Sequence, residues 1–196
     1  MYNRYIAKYI KAKNGEYDNN EVRLRELQKL YKDLKKTHYR TVTINTLYEI
    51  AQYDHSQQTL NKINLELRKT GLSSYDRMRL ISKKYTIMTS PELSQDLTPS
   101  DINDVQVVYY YSFMQMLTRM MEESHVILWG FYLNEKNYPE LIKLMKYSSF
   151  VWEMKDNKDT INEYLDKIRN DVDFMNWIKG NLNDDYVMFL INERGL

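Results

Sequence analysis

The apolar positions of this chain recur mostly at helical spacing. Tyr2, Tyr5, Ile6, Tyr9 and Ile10 fall at i, i+3, i+4, i+7 and i+8, one face of a helix that Asn14-Gly15 ends. Asn20 predicts the cap of a second helix to about His38, with Leu24, Leu27, Leu30, Tyr31 and Leu34 as its inner stripe. A third helix begins near Thr43 and turns Ile44, Leu47, Tyr48 and Ala51 inward. A fourth runs from Ser56 to about Thr70 on Leu60, Ile63 and Leu67, and Gly71 stops it. Ser73 or Ser74 caps a fifth, which carries Leu80, Ile81, Tyr85 and Met88.

Thr89 to Ser100 breaks the pattern with two Pro among small polar residues and reads as a linker. Within it, Thr98-Pro99-Ser100-Asp101 places Thr at an N-cap, Pro in the first turn and an acid at the third position. The helix that follows is apolar nearly all round from Val105 to Leu117, which predicts a buried central helix for the second half. Val105 to Tyr111 would also suit a strand on propensity, but helical spacing continues from Ser112 to Met121. Further helices are predicted from Pro139, over Asp159 to Asn170, over Asp171 to Lys179 and over Asp184 to Glu193. The expected fold class is all-α and multi-helix, a basic N-terminal helical region followed by an acidic helical bundle.

Composition agrees with long helices and short connections, since only 5 Gly and 3 Pro occur in 196 residues. The absence of cysteine removes disulfides, thiolate zinc sites and cysteine nucleophiles. The longest apolar stretch, Val105 to Leu133, contains Arg119, Glu122 and Glu123, which argues against a membrane span. Met1 to Lys8 has no apolar run of signal-peptide type, so the expected setting is the cytoplasm, or the host cytoplasm or virion if the protein is viral. Phe, Tyr, Met, Ile, Asn and Lys total 83 against 21 for Gly, Ala, Arg and Pro. Such usage points to an AT-rich gene of a low-GC bacterium, a phage or another virus.

Charge changes the picture more. Residues 1–90 hold 18 basic and 9 acidic side chains, a net +9, while residues 91–196 hold 10 and 18, a net −8. Asymmetry of this kind hints at nucleic acid on the basic part. It equally fits two surfaces of opposite sign that pack together. The division predicts a basic helical region over 1–90 and an acidic oligomerisation or partner-binding region over 91–196.

Inside the basic region, residues 43–70 offer a helix-turn-helix candidate. Ile50, Tyr53, Leu60 and Ile63 would lock two helices about the turn Asp54-His55-Ser56. Gln57, Gln58, Asn61 and Lys62 would then lead the second helix, with Arg68 and Lys69 behind it. Gln and Asn pair with adenine edges, and Lys and Arg neutralise phosphates. Lys35, Lys36 and Arg40 add charge at the exit of the preceding helix. An ordinary helical hairpin gives similar spacing, and Asp54 stands where such turns usually carry Gly.

No residue pattern announces catalysis. His38, His55 and His125 have no second histidine at helix spacing, and His125 is expected on a helix surface or partly buried. No phosphate-binding Gly loop or nucleophile elbow occurs. Glu153-Met154-Lys155 has a nuclease-like spacing, with Asp101 or Asp104 upstream, but that chemistry needs a sheet and none is predicted. No enzyme, metal or cofactor is therefore expected. The expected partners are DNA or RNA, a second copy of the chain and, in one reading, a host protein, with no membrane. The sequence favours a nucleic-acid-associated protein of a phage or mobile element with a regulatory, replication or packaging role. The alternatives are a viral coat or nucleoprotein subunit and a phage-type inhibitor of a host enzyme.

Overall fold

Short polar side chains fix where several of the helices begin. The structure, a computed structural model, describes residues 2–17, 19–154 and 165–194, and no strand occurs among them. Its helices are α1 (Tyr2–Lys13), α2 (Asn20–Leu34), α3 (Arg40–Ile50), α4 (Gln57–Leu67), α5 (Ser74–Met88) and α6 (Pro99–Met114). After these come α7 (Thr118–Asn134), α8 (Tyr138–Met154), α9 (Val172–Gly180) and α10 (Asp185–Arg194), with residues 165–169 also helical. Asn19, Ser56, Ser73 and Thr98 each accept a hydrogen bond from a backbone N–H of the first turn they precede. At Thr98 the Asp101 carboxylate bonds back to the Thr98 N–H and completes a capping box. Asn19, not Asn20, is thus the cap of α2. Helix α3 starts at Arg40 instead of near Thr43, and Tyr39 before it supplies no side-chain cap.

The chain forms two compact units, residues 1–115 and 116–196. In the first, α2 packs on α3, α1 lies on both, and α5 packs on α3, α4 and α6. Helix α3 is the centre. Val42, Thr43, Ile44, Thr46, Leu47, Tyr48 and Ile50 are all buried. Its two buried threonines donate to their own helix, Thr43 Oγ1 to the Tyr39 carbonyl at 2.9 Å and Thr46 Oγ1 to Val42 at 2.7 Å. Neither hydroxyl therefore carries the cost of an unpaired buried polar group. Leu27, Tyr31, Leu60, Ile63, Leu80 and Ile87 close around this helix.

The expected linker is folded into the first unit. The Gln95 N–H donates to the Met88 carbonyl at 2.8 Å, and Leu93 packs on the core. Beyond it, Tyr85 joins α5 to α6, its hydroxyl lying 3.0 Å from Asp101 Oδ1 and 2.8 Å from Asp104 Oδ2. Burial first, and then those two carboxylates, hold this phenol above its ordinary pKa, so it remains a donor. Helix α6 consequently lies with the first unit by packing, although charge counted it with the acidic half. It is also not the buried centre that its apolar sequence predicts. Val107, Tyr110 and Met114 are 54%, 53% and 75% exposed. The helical spacing read through Ser112 to Met121 spans a break, with Met116 at φ 55° before α7 begins.

In the second unit α7 packs on α8, and α10 also contacts α8. Tyr138, Phe174 and Trp177 form an aromatic cluster, with Tyr138 edge-on to Phe174 at 5.2 Å and Phe174 stacked on Trp177 at 6.2 Å. His125 is a core residue, 4% exposed and 5.8 Å from the Trp129 ring, not a surface one. Its neighbours on α7, Ser124, Leu128 and Trp129, are all buried, so its position faces the interior. Desolvation lowers its pKa from 6.5 to about 3, so it stays neutral.

A group protonated in the unfolded chain but not in the folded one weakens stability as pH falls. Here the window opens below about pH 6.5 and extends towards 3. His125→Phe should remove that slope. Urea unfolding at pH 6.5 and pH 4.5 should show the wild type losing about 2–3 kcal/mol more than the variant. Parallel losses would show that His125 does not drive the acid response.

Candidate nucleic-acid interface

The turn between α3 and α4 is built on Asp54. Ile50, Leu60 and Ile63 are buried beneath it and Tyr53 is half-buried, so the four expected locking positions do face inward. The Asp54 carboxylate accepts from Thr59 Oγ1 at 2.6 Å, the Ser56 N–H at 3.0 Å and Gln28 Nε2 at 3.4 Å. Burial pushes its pKa up, but the hydrogen bonds from Thr59 and Ser56 outweigh that and hold it below the ordinary carboxylate range. Asp in place of Gly thus ties the turn to α2 and to the first turn of α4.

The leading end of α4 is less open than its sequence suggests. Gln57, Gln58 and Asn61 are exposed, and Lys62 is half-buried with its charge acting on Asp54. Gln57 Nε2 donates to Asn61 Oδ1 at 3.0 Å, and Gln95 Nε2 donates to Gln57 Oε1 at 3.2 Å. Glu92 lies 3.7 Å from His55 in the same region. Bidentate reading of adenine needs both the donor and the acceptor of one amide. Gln57 already uses one donor and one acceptor site, Asn61 uses one acceptor site, and Gln58 alone of the three uses neither.

The cations gather elsewhere. Lys35 is the C-cap of α2, Lys36 follows it, Arg40 is the first residue of α3, and Arg68 is the C-cap of α4. All four are exposed, and none of them, nor Lys62, enters an ion pair among the described residues. Lys69 does pair, with Glu66 at 2.6 Å. Lys35, Arg40 and Lys69 line one cavity of about 460 Å³ together with His38 and Glu66. Helix α4 has 11 residues, so this basic corner and the Gln57 end lie about 16 Å apart. The site residues therefore fall into two groups.

Backbone geometry strengthens the basic corner. Lys35 and Lys36 sit at the negative end of the α2 dipole, a favourable place for cations. Arg40 sits at the positive end of α3, where the uncapped first turn adds to its charge. Gly71 adopts φ 74°, and a Cβ there would lie 3.1 Å from Arg40 Nη1. A side chain at 71 would be strained and would press on the guanidinium.

Two residues of this corner, His38 and Glu66, carry no assignment from sequence. Glu66 was legible as an anomaly, an acid three residues after Ile63 on the inward stripe of α4. His38 gave no comparable signal. Among the described residues no group of three or more His, Asp or Glu is placed to hold a metal ion, and no helix is long and apolar enough to cross a membrane. Comparison with protein-family models, curated proteins and solved structures finds no match to this chain.

The turn itself can be tested. Asp54→Ala removes acceptors from Thr59 and Ser56, and should cost about 0.5–2 kcal/mol at pH 7, the range for losing a helix-start acceptor. A carboxyl held low in the folded state stabilises above its unfolded pKa and loses that contribution as pH falls through its folded pKa. Urea unfolding should therefore show the gap between wild type and variant narrowing in strong acid. A gap independent of pH would assign the effect to shape and not to the ionised carboxylate.

Proposed function

We propose that this protein binds nucleic acid through the basic corner of its first unit, mainly by phosphate contact. One observation carries the reading: Lys35, Lys36, Arg40 and Arg68 are exposed at neighbouring helix ends and have no acidic partner among the described residues. Leaving several unbalanced in one place raises the local potential and attracts a polyanion. The engaged amides of Gln57 and Asn61 favour sequence-independent binding over reading of bases. DNA and RNA both present the phosphates this corner would meet. Phage or mobile-element function, in regulation, replication, packaging or a coat, remains within this proposal. Oligomeric state with and without a short duplex separates those roles.

Binding should fall steeply with salt. A Lys35→Ala, Lys36→Ala and Arg40→Ala triple variant should weaken binding to every duplex alike and flatten the salt slope by up to about 3. Gln58→Ala with Asn61→Ala should leave both affinity and sequence preference unchanged. Fluorescence anisotropy at several salt concentrations measures all of these. Unchanged binding by the triple variant would refute the proposal, and lost sequence preference in the amide variant would restore a base-reading helix.

A further inference from the structure

The cavity beside Arg40 has a floor as well as a rim. The rim is cationic: Lys35 from the end of α2, Arg40 from the start of α3 and Lys69 just beyond α4. The floor is Glu66, only 2% exposed. A carboxylate so far from water needs its oxygens satisfied. Glu66 Oε1 meets both of its partners, Lys69 Nζ at 2.6 Å and the Tyr31 hydroxyl at 3.3 Å. Burial first, and then the Glu66 charge, keep the Tyr31 phenol protonated as a donor. Glu66 Oε2 accepts no hydrogen bond from any described residue. Because Glu66 lines the cavity, the space within it is where a donor for Oε2 can stand.

Rim and floor ask for different groups on one ligand. Three cations against one carboxylate select an anion, and the unfilled acceptor selects a hydroxyl or amino group beyond it. A simple anion satisfies the rim and leaves the floor bare. A volume of about 460 Å³ lies within the range of small-ligand pockets, roughly 300–1,000 Å³. We propose that this cavity binds a nucleotide, with its phosphate on Lys35, Arg40 and Lys69 and a sugar hydroxyl or base amino group donating to Glu66 Oε2. The ligand is either a free mononucleotide or the 5′-terminal nucleotide of a strand. The second source rests on the nucleic-acid reading above, and the first does not.

The test uses the full chain and calorimetric titration with each of the four 5′-nucleoside monophosphates, inorganic phosphate and the four nucleosides. At least one monophosphate should bind about tenfold or more tighter than both inorganic phosphate and its own nucleoside. Arg40→Ala, an exposed position that folding tolerates, should lose about tenfold or more of that affinity. Glu66→Gln should bring the nucleotide and inorganic phosphate close together, with thermal melting as the check that it folds. If no monophosphate outbinds inorganic phosphate, or if Arg40→Ala binds as the wild type does, the proposal is overturned. A single strand with a 5′-phosphate that binds tighter than its 5′-hydroxyl form assigns the site to strand ends, and equal binding assigns it to the free nucleotide. A duplex with 5′-hydroxyl ends separates the two proposals. Duplex binding without nucleotide binding removes the pocket alone, and nucleotide binding without duplex binding removes the backbone reading alone.

Discussion

Burial of α3 along nearly its whole length is the constraint on which the first unit depends. Its inward residues include two threonines that must satisfy themselves on their own helix, and they do. Apart from Asn45 and Tyr48, which meet Arg79 of α5, the polar chemistry around α3 gathers at its two ends. At the C-terminal end Asp54 gathers Thr59, Ser56 and Gln28 and sets the path into α4. At the N-terminal end no side chain caps the first turn, and Arg40 stands there beside Lys35 and above Glu66. The candidate interface is thus a consequence of packing, located where the buried helix emerges.

The charge of the first 90 residues is not all available to a partner. Arg79 is buried on α5, donates to Asn45 Oδ1 at 2.7 Å and stacks 4.0 Å over Tyr48. Lys83 is buried against the same ring at 5.3 Å. Lys84 is drawn to Tyr85 and Asp101, and Lys29 to Glu26. Arg79, Lys83 and Lys84 join helices, and the Lys29 pair lies within α2. By packing, the first unit also includes α6 and the segment before it, which bring its count to 18 basic and 13 acidic residues, a net +5. What distinguishes the basic corner is therefore the convergence of Lys35, Arg40 and Lys69 on one cavity, which a sequence count of charge does not measure.

Helices α4, α5 and α6 were legible because each announced itself twice, by an apolar stripe and by a polar start. Thr98-Pro99-Ser100-Asp101 became the capping box it spelled, and Ser56 and Ser73 capped as their positions required. Legibility failed where burial depends on partners distant in sequence. Val105 to Leu117 is apolar nearly all round, and nothing in it says that Val107, Tyr110 and Met114 would stay exposed. His125 shows no local difference from a surface histidine, yet α7 turns it into the core. At the candidate site the separate residues were readable and their grouping was not. Lys35, Arg40 and Lys69 span three helix ends, and their convergence depends on how α2, α3 and α4 pack.

On the nucleic-acid proposal, polyanion binding is localised to this corner and not to the leading end of α4. Titration of a short duplex into the ¹⁵N-labelled full chain, followed by amide chemical shifts, tests it directly. The largest changes should cluster at residues 34–43 and 66–71 and shrink as salt is raised. Changes centred on residues 57–61 with the corner silent, or no changes at low salt, would contradict it.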